Sequence, residues 1–210
     1  TGIKKILSKF YHQFFLSSSN EVERTANKFS LNPFISDTNN QISINYSIRN
    51  SLYFNRGLQK YSTTYTFAKT ENKQQYSIGS QDTDIRYQQI DFQHKLGKFW
   101  LIDLQGKLSE NNLETENFNN RNYEINTYAF HPKISYVLDN DKRFSAFYHV
   151  KDKKNNLLEF EKLKQQKIGI EYFYQRKSTT QFNANFTIFF NEFDGNPNSP
   201  VGYQMLEGLQ

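Results

Sequence analysis

The feature that most constrains this chain is an alternation of apolar and polar residues at period two, repeated eight times between residues 41 and 194. Successive side chains of a strand point to opposite faces, so each run predicts a β-strand with one apolar and one wet face. The cleanest is Phe182-Asn183-Ala184-Asn185-Phe186-Thr187-Ile188, and Ile42-Ser43-Ile44-Asn45-Tyr46-Ser47-Ile48 follows the same rule. Between them lie Tyr61/Thr63/Tyr65/Phe67, Ile90/Phe92/Leu96, Trp100/Ile102/Leu104/Leu108, Tyr123 to Leu138, Phe144/Ala146/Tyr148/Val150 and Ile168/Ile170/Tyr172/Tyr174. Pro132 falls inside the fifth run, where a bulge or a change of phase is expected. Most runs span about 9–12 residues, near the ~9–11 that a tilted transmembrane strand needs and beyond the ~5–6 of an average soluble strand.

The connections sort by length. Short turns are expected at Asn55-Arg56-Gly57, Gly97-Lys98, Asp139-Asn140-Asp141 and Gln175-Arg176-Lys177-Ser178, rich in residues that tolerate turn dihedrals. Long polar loops are expected over Lys69 to Asp84, Ser109 to Arg121 and Lys151 to Lys167. Short alternating with long is the pattern of a transmembrane barrel, with tight turns on one side of the membrane and larger loops on the other. The expected fold is all-β: a transmembrane antiparallel up-and-down β-barrel, with about eight strands in four hairpins over residues 41–194. Residues 1–40 form a lead-in, either a helix or an extra strand followed by a loop, and 195–210 a polar loop towards further strands. The ending at Leu209-Gln210, with no aromatic-terminated strand, gives the expectation of a larger parent barrel.

Composition removes several function classes. With no cysteine, thiolate metal sites and Cys nucleophiles are excluded. The 26 basic residues are scattered among 21 acidic ones without forming a stripe, so a net charge of +5 reads as solvated surface and not as a nucleic-acid site. The histidines His12, His94, His131 and His149 show no metal-ligand spacing, and no phosphate loop or nucleophile motif is present. No catalytic residue, cofactor or metal is expected. No run reaches the ~18 apolar residues of a membrane-spanning helix.

Aromatic residues make up 17% of this polar chain, with 20 Phe and 14 Tyr. Their placement on alternating strands assigns Ile44, Tyr46, Tyr65, Phe92, Ile102, Leu104, Ala146, Tyr148, Ile170, Tyr172, Phe186 and Ile188 to a lipid-facing surface. Tyr53, Phe54, Phe99, Trp100, Tyr136, Tyr174, Phe189 and Phe190 stand near strand ends, where an interfacial aromatic girdle is expected. The opposite Asn, Gln, Ser, Thr and Lys faces would line a wet lumen.

Three segments carry a family resemblance. They are Asn32-Pro33-Phe34 through Ser51-Leu52-Tyr53-Phe54-Asn55-Arg56, Asn120-Arg121-Asn122-Tyr123, and Asn198-Ser199-Pro200-Val201-Gly202-Tyr203-Gln204-Met205-Leu206-Glu207-Gly208-Leu209-Gln210. Over residues 30–210 the chain resembles large outer-membrane β-barrel proteins of Bacteroidota, in the carboxyl-terminal region of the barrel. The resemblance implies a large parent chain and a Gram-negative outer-membrane location, and brings no catalytic residues with it. Three roles are expected: a structural or accessory subunit of an outer-membrane secretion, assembly or export complex; a porin-like channel; or a soluble β-rich surface adhesin. The expected partners are outer-membrane lipid or lipopolysaccharide and other outer-membrane proteins or lipoproteins, with no nucleic acid.

Overall fold

In the computed structural model the described residues are 9–26, 38–56, 60–76, 79–138, 141–157, 161–176 and 180–206. They form one antiparallel sheet in which sequence order and spatial order coincide. Its strands are β1 (Phe10–Ala26), β2 (Thr38–Phe54), β3 (Tyr61–Tyr76), β4 (Gly79–Leu96) and β5 (Trp100–Thr115), continuing with β6 (Tyr123–Leu138), β7 (Lys142–Asn155), β8 (Lys162–Arg176) and β9 (Thr180–Asp194). A single 3₁₀ turn, Asn119–Arg121, precedes β6, and a helix, α1 (Pro200–Leu206), follows β9. Among the described residues the sheet is not closed: β1 pairs only with β2 and β9 only with β8.

One alternative is decided and three expectations change. The lead-in contributes an extra strand, β1, which pairs with β2 from Phe10↔Phe54 to Ala26↔Thr38 and raises the described strands to nine. The long loops are mostly strand. Lys69 to Tyr76 and Gly79 to Asp84 continue the β3–β4 ladder, and Ser109 to Thr115 continues β5. Strands therefore run 14–18 residues. The period-two signal fades there because both faces turn polar (Lys69-Thr70-Glu71-Asn72-Lys73), while backbone pairing does not need an apolar face. What alternates between the two ends of the sheet is polarity, and connection length follows it only weakly.

At Pro132 there is no bulge. Phe130 pairs with Val150 and Lys133 with Phe147, three steps on each strand, so the phase is conserved across the proline. Proline has no N–H to give, and the two rungs between these pairs drop out of the β6–β7 ladder while Leu104↔Pro132 is kept on the β5 side. The C-terminal stretch is also more than a polar loop. Ser199 Oγ accepts a hydrogen bond from Gly202 N–H at 2.8 Å, an N-cap with Pro200 at the first helical position. The helix so started buries Val201 and Met205 against Tyr123, Ile125 and Leu163, with Leu113, Phe193 and Leu206 around them.

Candidate membrane interface

Register alone decides which residues share a face. One rung reads Ile102↔Ile134↔Ala146↔Ile170↔Phe186, and the next in-phase rung reads Leu104↔Pro132 with Tyr148↔Ile168↔Ile188. Followed across every pairing, all twelve residues assigned from sequence to the lipid-facing set fall on a single face. This face presents its large apolar side chains outward: Leu16 and Phe186 are each 62% exposed, and Ile90, Phe130, Phe144 and Ile168 are exposed with them.

The opposite face is packed with small polar groups. Ser51, Ser135 and Ser145 are each 1% exposed. Ser135 and Ser145 hydroxyls are 2.9 Å apart across β6 and β7, and Ser51 and Thr66 hydroxyls 3.3 Å apart across β2 and β3. Around them, Gln93 donates to Asp103 at 2.6 Å, Gln105 donates to Asp91 at 2.7 Å, and Lys133 donates to Glu171 at 2.6 Å. Burying hydroxyls and amides while exposing Phe and Ile inverts the arrangement of a water-soluble sheet.

The apolar face is banded. On β5 it runs Trp100, Ile102, Leu104, Gly106, Leu108 before Glu110, and on β9 Phe182, Ala184, Phe186, Ile188, Phe190 before Glu192. Nine residues at a rise of ~3.4 Å cover roughly 27 Å of strand, or roughly 20 Å of height at a tilt of ~40°. That approaches the ~25 Å apolar band of outer-membrane barrels.

At the tight-turn end the band closes on a row of rings. Phe10 and Phe54 have centroids 4.8 Å apart, Phe54 and Tyr61 6.0 Å, Trp100 and Tyr136 5.0 Å, and Tyr172 and Phe182 6.2 Å. Phe99, in the β4–β5 turn, adds a ring 5.8 Å from Tyr136. At the other end the same face becomes ionic. Arg86 Nε donates to Asp84 at 2.9 Å, Lys73 lies 3.7 Å from Asp82, and Lys69 is hydrogen-bonded to Glu71. That bond, with the charge of Asp84 nearby, holds the Lys69 ammonium above its ordinary pKa.

Of the eight girdle residues, Phe54, Trp100, Tyr136 and Tyr174 lie on the apolar face at the tight-turn end, with Phe99 beside them in the turn. Phe190 is on the same face at the ionic end, paired with Gln166. Tyr53 and Phe189 are corrections: Tyr53 pairs with Thr64, and Phe189 with Lys167, on the polar face. Tyr53-Phe54 and Phe189-Phe190 are adjacent pairs, and neighbours in a strand cannot share a face. Sequence reasoning also missed Phe10, Tyr61, Phe144 and Phe182, which complete the row; the period-two phase of each strand carried that signal.

The histidines divide between faces. His94 stacks on Phe92 on the apolar face, at 6.2 Å between centroids, and His131 and His149 lie 5.2 Å apart on the polar face. Among the described residues no group of three or more His, Asp or Glu is placed to hold a metal ion. Comparison with protein-family models and with curated proteins finds no match to this chain.

Proposed function

We propose that this sheet is a wall of a transmembrane antiparallel β-barrel in a Gram-negative outer membrane, with no catalytic role of its own. The observation that carries the reading is the banded apolar face: exposed Phe, Ile, Leu and Tyr, a row of rings at one margin, charges at the other, and a hydrogen-bonded polar face behind. A lipid bilayer is the environment that such a band fits, because nothing else need cover it. Free strand edges are not tolerated in hydrocarbon. β1 and β9 run in the same direction, so a direct junction between them would be parallel, unlike all eight existing pairings. Antiparallel closure therefore calls for an odd number of further strands between them.

Within the membrane the wall serves as a structural or accessory subunit of an outer-membrane secretion, assembly or export complex. Support comes from α1, which packs across β5, β6, β8 and β9 and occupies the polar face at the ionic end. A wall so occupied suits scaffolding better than an open conduit. A porin-like channel is the second reading, favoured by the charged and amide side chains that the polar face retains.

Fractionation of cells expressing the full-length protein tests the first claim. Recovery in the outer membrane after a carbonate wash is expected, and release into the soluble fraction would overturn it. Affinity purification in detergent then divides the two roles: stoichiometric outer-membrane protein partners support the subunit, and a lone conducting barrel supports the channel.

A further inference from the structure

The polar face is layered by charge. Its acidic side chains near mid-strand, Asp91, Asp103 and Glu171, are each engaged by Gln105, Gln93 and Lys133 respectively. One rung further towards the ionic end, Lys107↔Ala129↔Lys151↔Gln165 places two lysines on one line across β5 to β8. Lys167, paired with His149, sits diagonally beside Lys151. Lys151 and Lys167 are diagonal neighbours at ~7–8 Å, and Lys107, two strands from Lys151, stands about 10 Å away at the backbone, so flexible stems leaning towards Lys151 can present all three ammoniums to one extended ligand.

Among the described residues none of the three has a carboxylate partner. Lys107 lies 4.6 Å from the Tyr87 ring and Lys167 5.0 Å from the Phe189 ring, which hold the flanking cations without neutralising them. The charged groups acting on Lys151 are Lys167 and Lys107, both of its own sign. Among the described residues, two neighbours leave hydrogen-bonding atoms without a partner: Gln165 Nε2, in a residue only 2% exposed and directly opposite Lys151, and His149 Nε2 opposite Lys167. Unopposed cations flanked by buried, unsatisfied polar atoms form a half-built site, and the missing half is an anion.

We propose that Lys107, Lys151 and Lys167, with Gln165 and His149 beside them, bind a multivalent phosphate-type oxyanion on the polar face. The site stands on the polar face alone, so its failure would leave the membrane reading, which the apolar band carries, untouched.

The test uses the full chain in detergent micelles with inorganic pyrophosphate as probe and sodium chloride at matched ionic strength as control. The expected result is pyrophosphate-specific broadening of the probe's phosphorus resonance and an upward, saturable shift in Tm. Lys151→Gln should weaken pyrophosphate binding at least tenfold. Lys95→Gln, on the same face at the tight-turn end, should leave it intact. Lys107→Gln and Lys167→Gln provide independent tests should Lys151→Gln fail to fold. An unbroadened resonance, a Tm that follows ionic strength alone, or equal binding by the lysine-patch variants and Lys95→Gln would overturn the proposal.

Discussion

Gly169 and Phe147 face each other across β7 and β8, and their fit shows how tightly the polar face is specified. A Cβ at position 169 would lie 2.4 Å from Phe147 Cζ and 3.0 Å from the Phe186 carbonyl oxygen. The ring also meets His131 edge-on at 5.5 Å, which restricts where it can move. Gly169→Ala is expected to destabilise the sheet by about 1–3 kcal/mol through overpacking. Phe147→Leu in the same chain should relieve much of that cost, because the ring tip is what the new methyl meets. Urea unfolding of both single variants and the double variant checks this, and strictly additive costs would contradict the contact. On the neighbouring strand, Phe186→Arg in lipid vesicles should cost about 2–4 kcal/mol, while Asn185→Arg, one residue away on the other face, should be nearly neutral. Equal costs at the two positions would contradict the assignment of faces. Side-chain direction was readable from sequence at this scale, because alternation leaves no freedom once a strand's phase is known. It failed at Tyr53 and Phe189, where aromatic character was read in place of phase.

Elements were legible in proportion to their apolar content. The inner halves of β2 to β9 announce themselves because one face is Phe, Ile, Leu and Tyr. The outer halves of β3 and β4, such as Lys69 to Tyr76, pair just as regularly without any apolar stripe, so sequence pattern reads them as loop. β1 was ambiguous for a related reason: Phe10, Tyr11, Phe14 and Phe15 suit a helix face or a strand equally well. The seven residues of α1 are too few to show a helical period, although Ser199-Pro200 was the available starting signal. Once formed, α1 is fastened at both ends. Glu161, 1% exposed, accepts from Ser199 Oγ at 3.0 Å and from Asn155 Nδ2 at 3.2 Å, and Lys153 Nζ donates to the Met205 carbonyl at 3.0 Å. Met205 itself is fully buried. Met205→Ala should therefore release the helix at a local cost of about 2–5 kcal/mol. Hydrogen exchange is expected to rise in Tyr123–Ile125 and in α1, with Ile102 and Ile134 in the band unchanged. A uniform rise across all strands would show instead that α1 supports the entire sheet.

For the molecule as a whole, the arrangement of faces matters more than any single contact. The eight pairings have no crossover, so every in-phase residue of nine strands adds to one continuous surface. On β5 and β9 that surface is apolar for nine residues and then acidic, while on β2 Ile44 and Tyr46 continue it opposite Lys73 and Glu71. A sheet of this breadth in water would need a second layer over its apolar side. Among the described residues α1 lies on the polar side, and no element covers the band. The direct question is whether that band touches lipid, and the chain's single tryptophan, Trp100, stands at its aromatic margin. The decisive measurement is Trp100 fluorescence of the full chain reconstituted in vesicles whose acyl chains carry quenchers at shallow or deep positions. Quenching is expected to be strongest from the shallow position, near the headgroups. In a Trp100→Phe, Phe186→Trp chain the strongest quenching should move to the deep position. Fluorescence quenched by aqueous iodide and indifferent to both lipid-borne quenchers would contradict the proposal that the band spans a membrane.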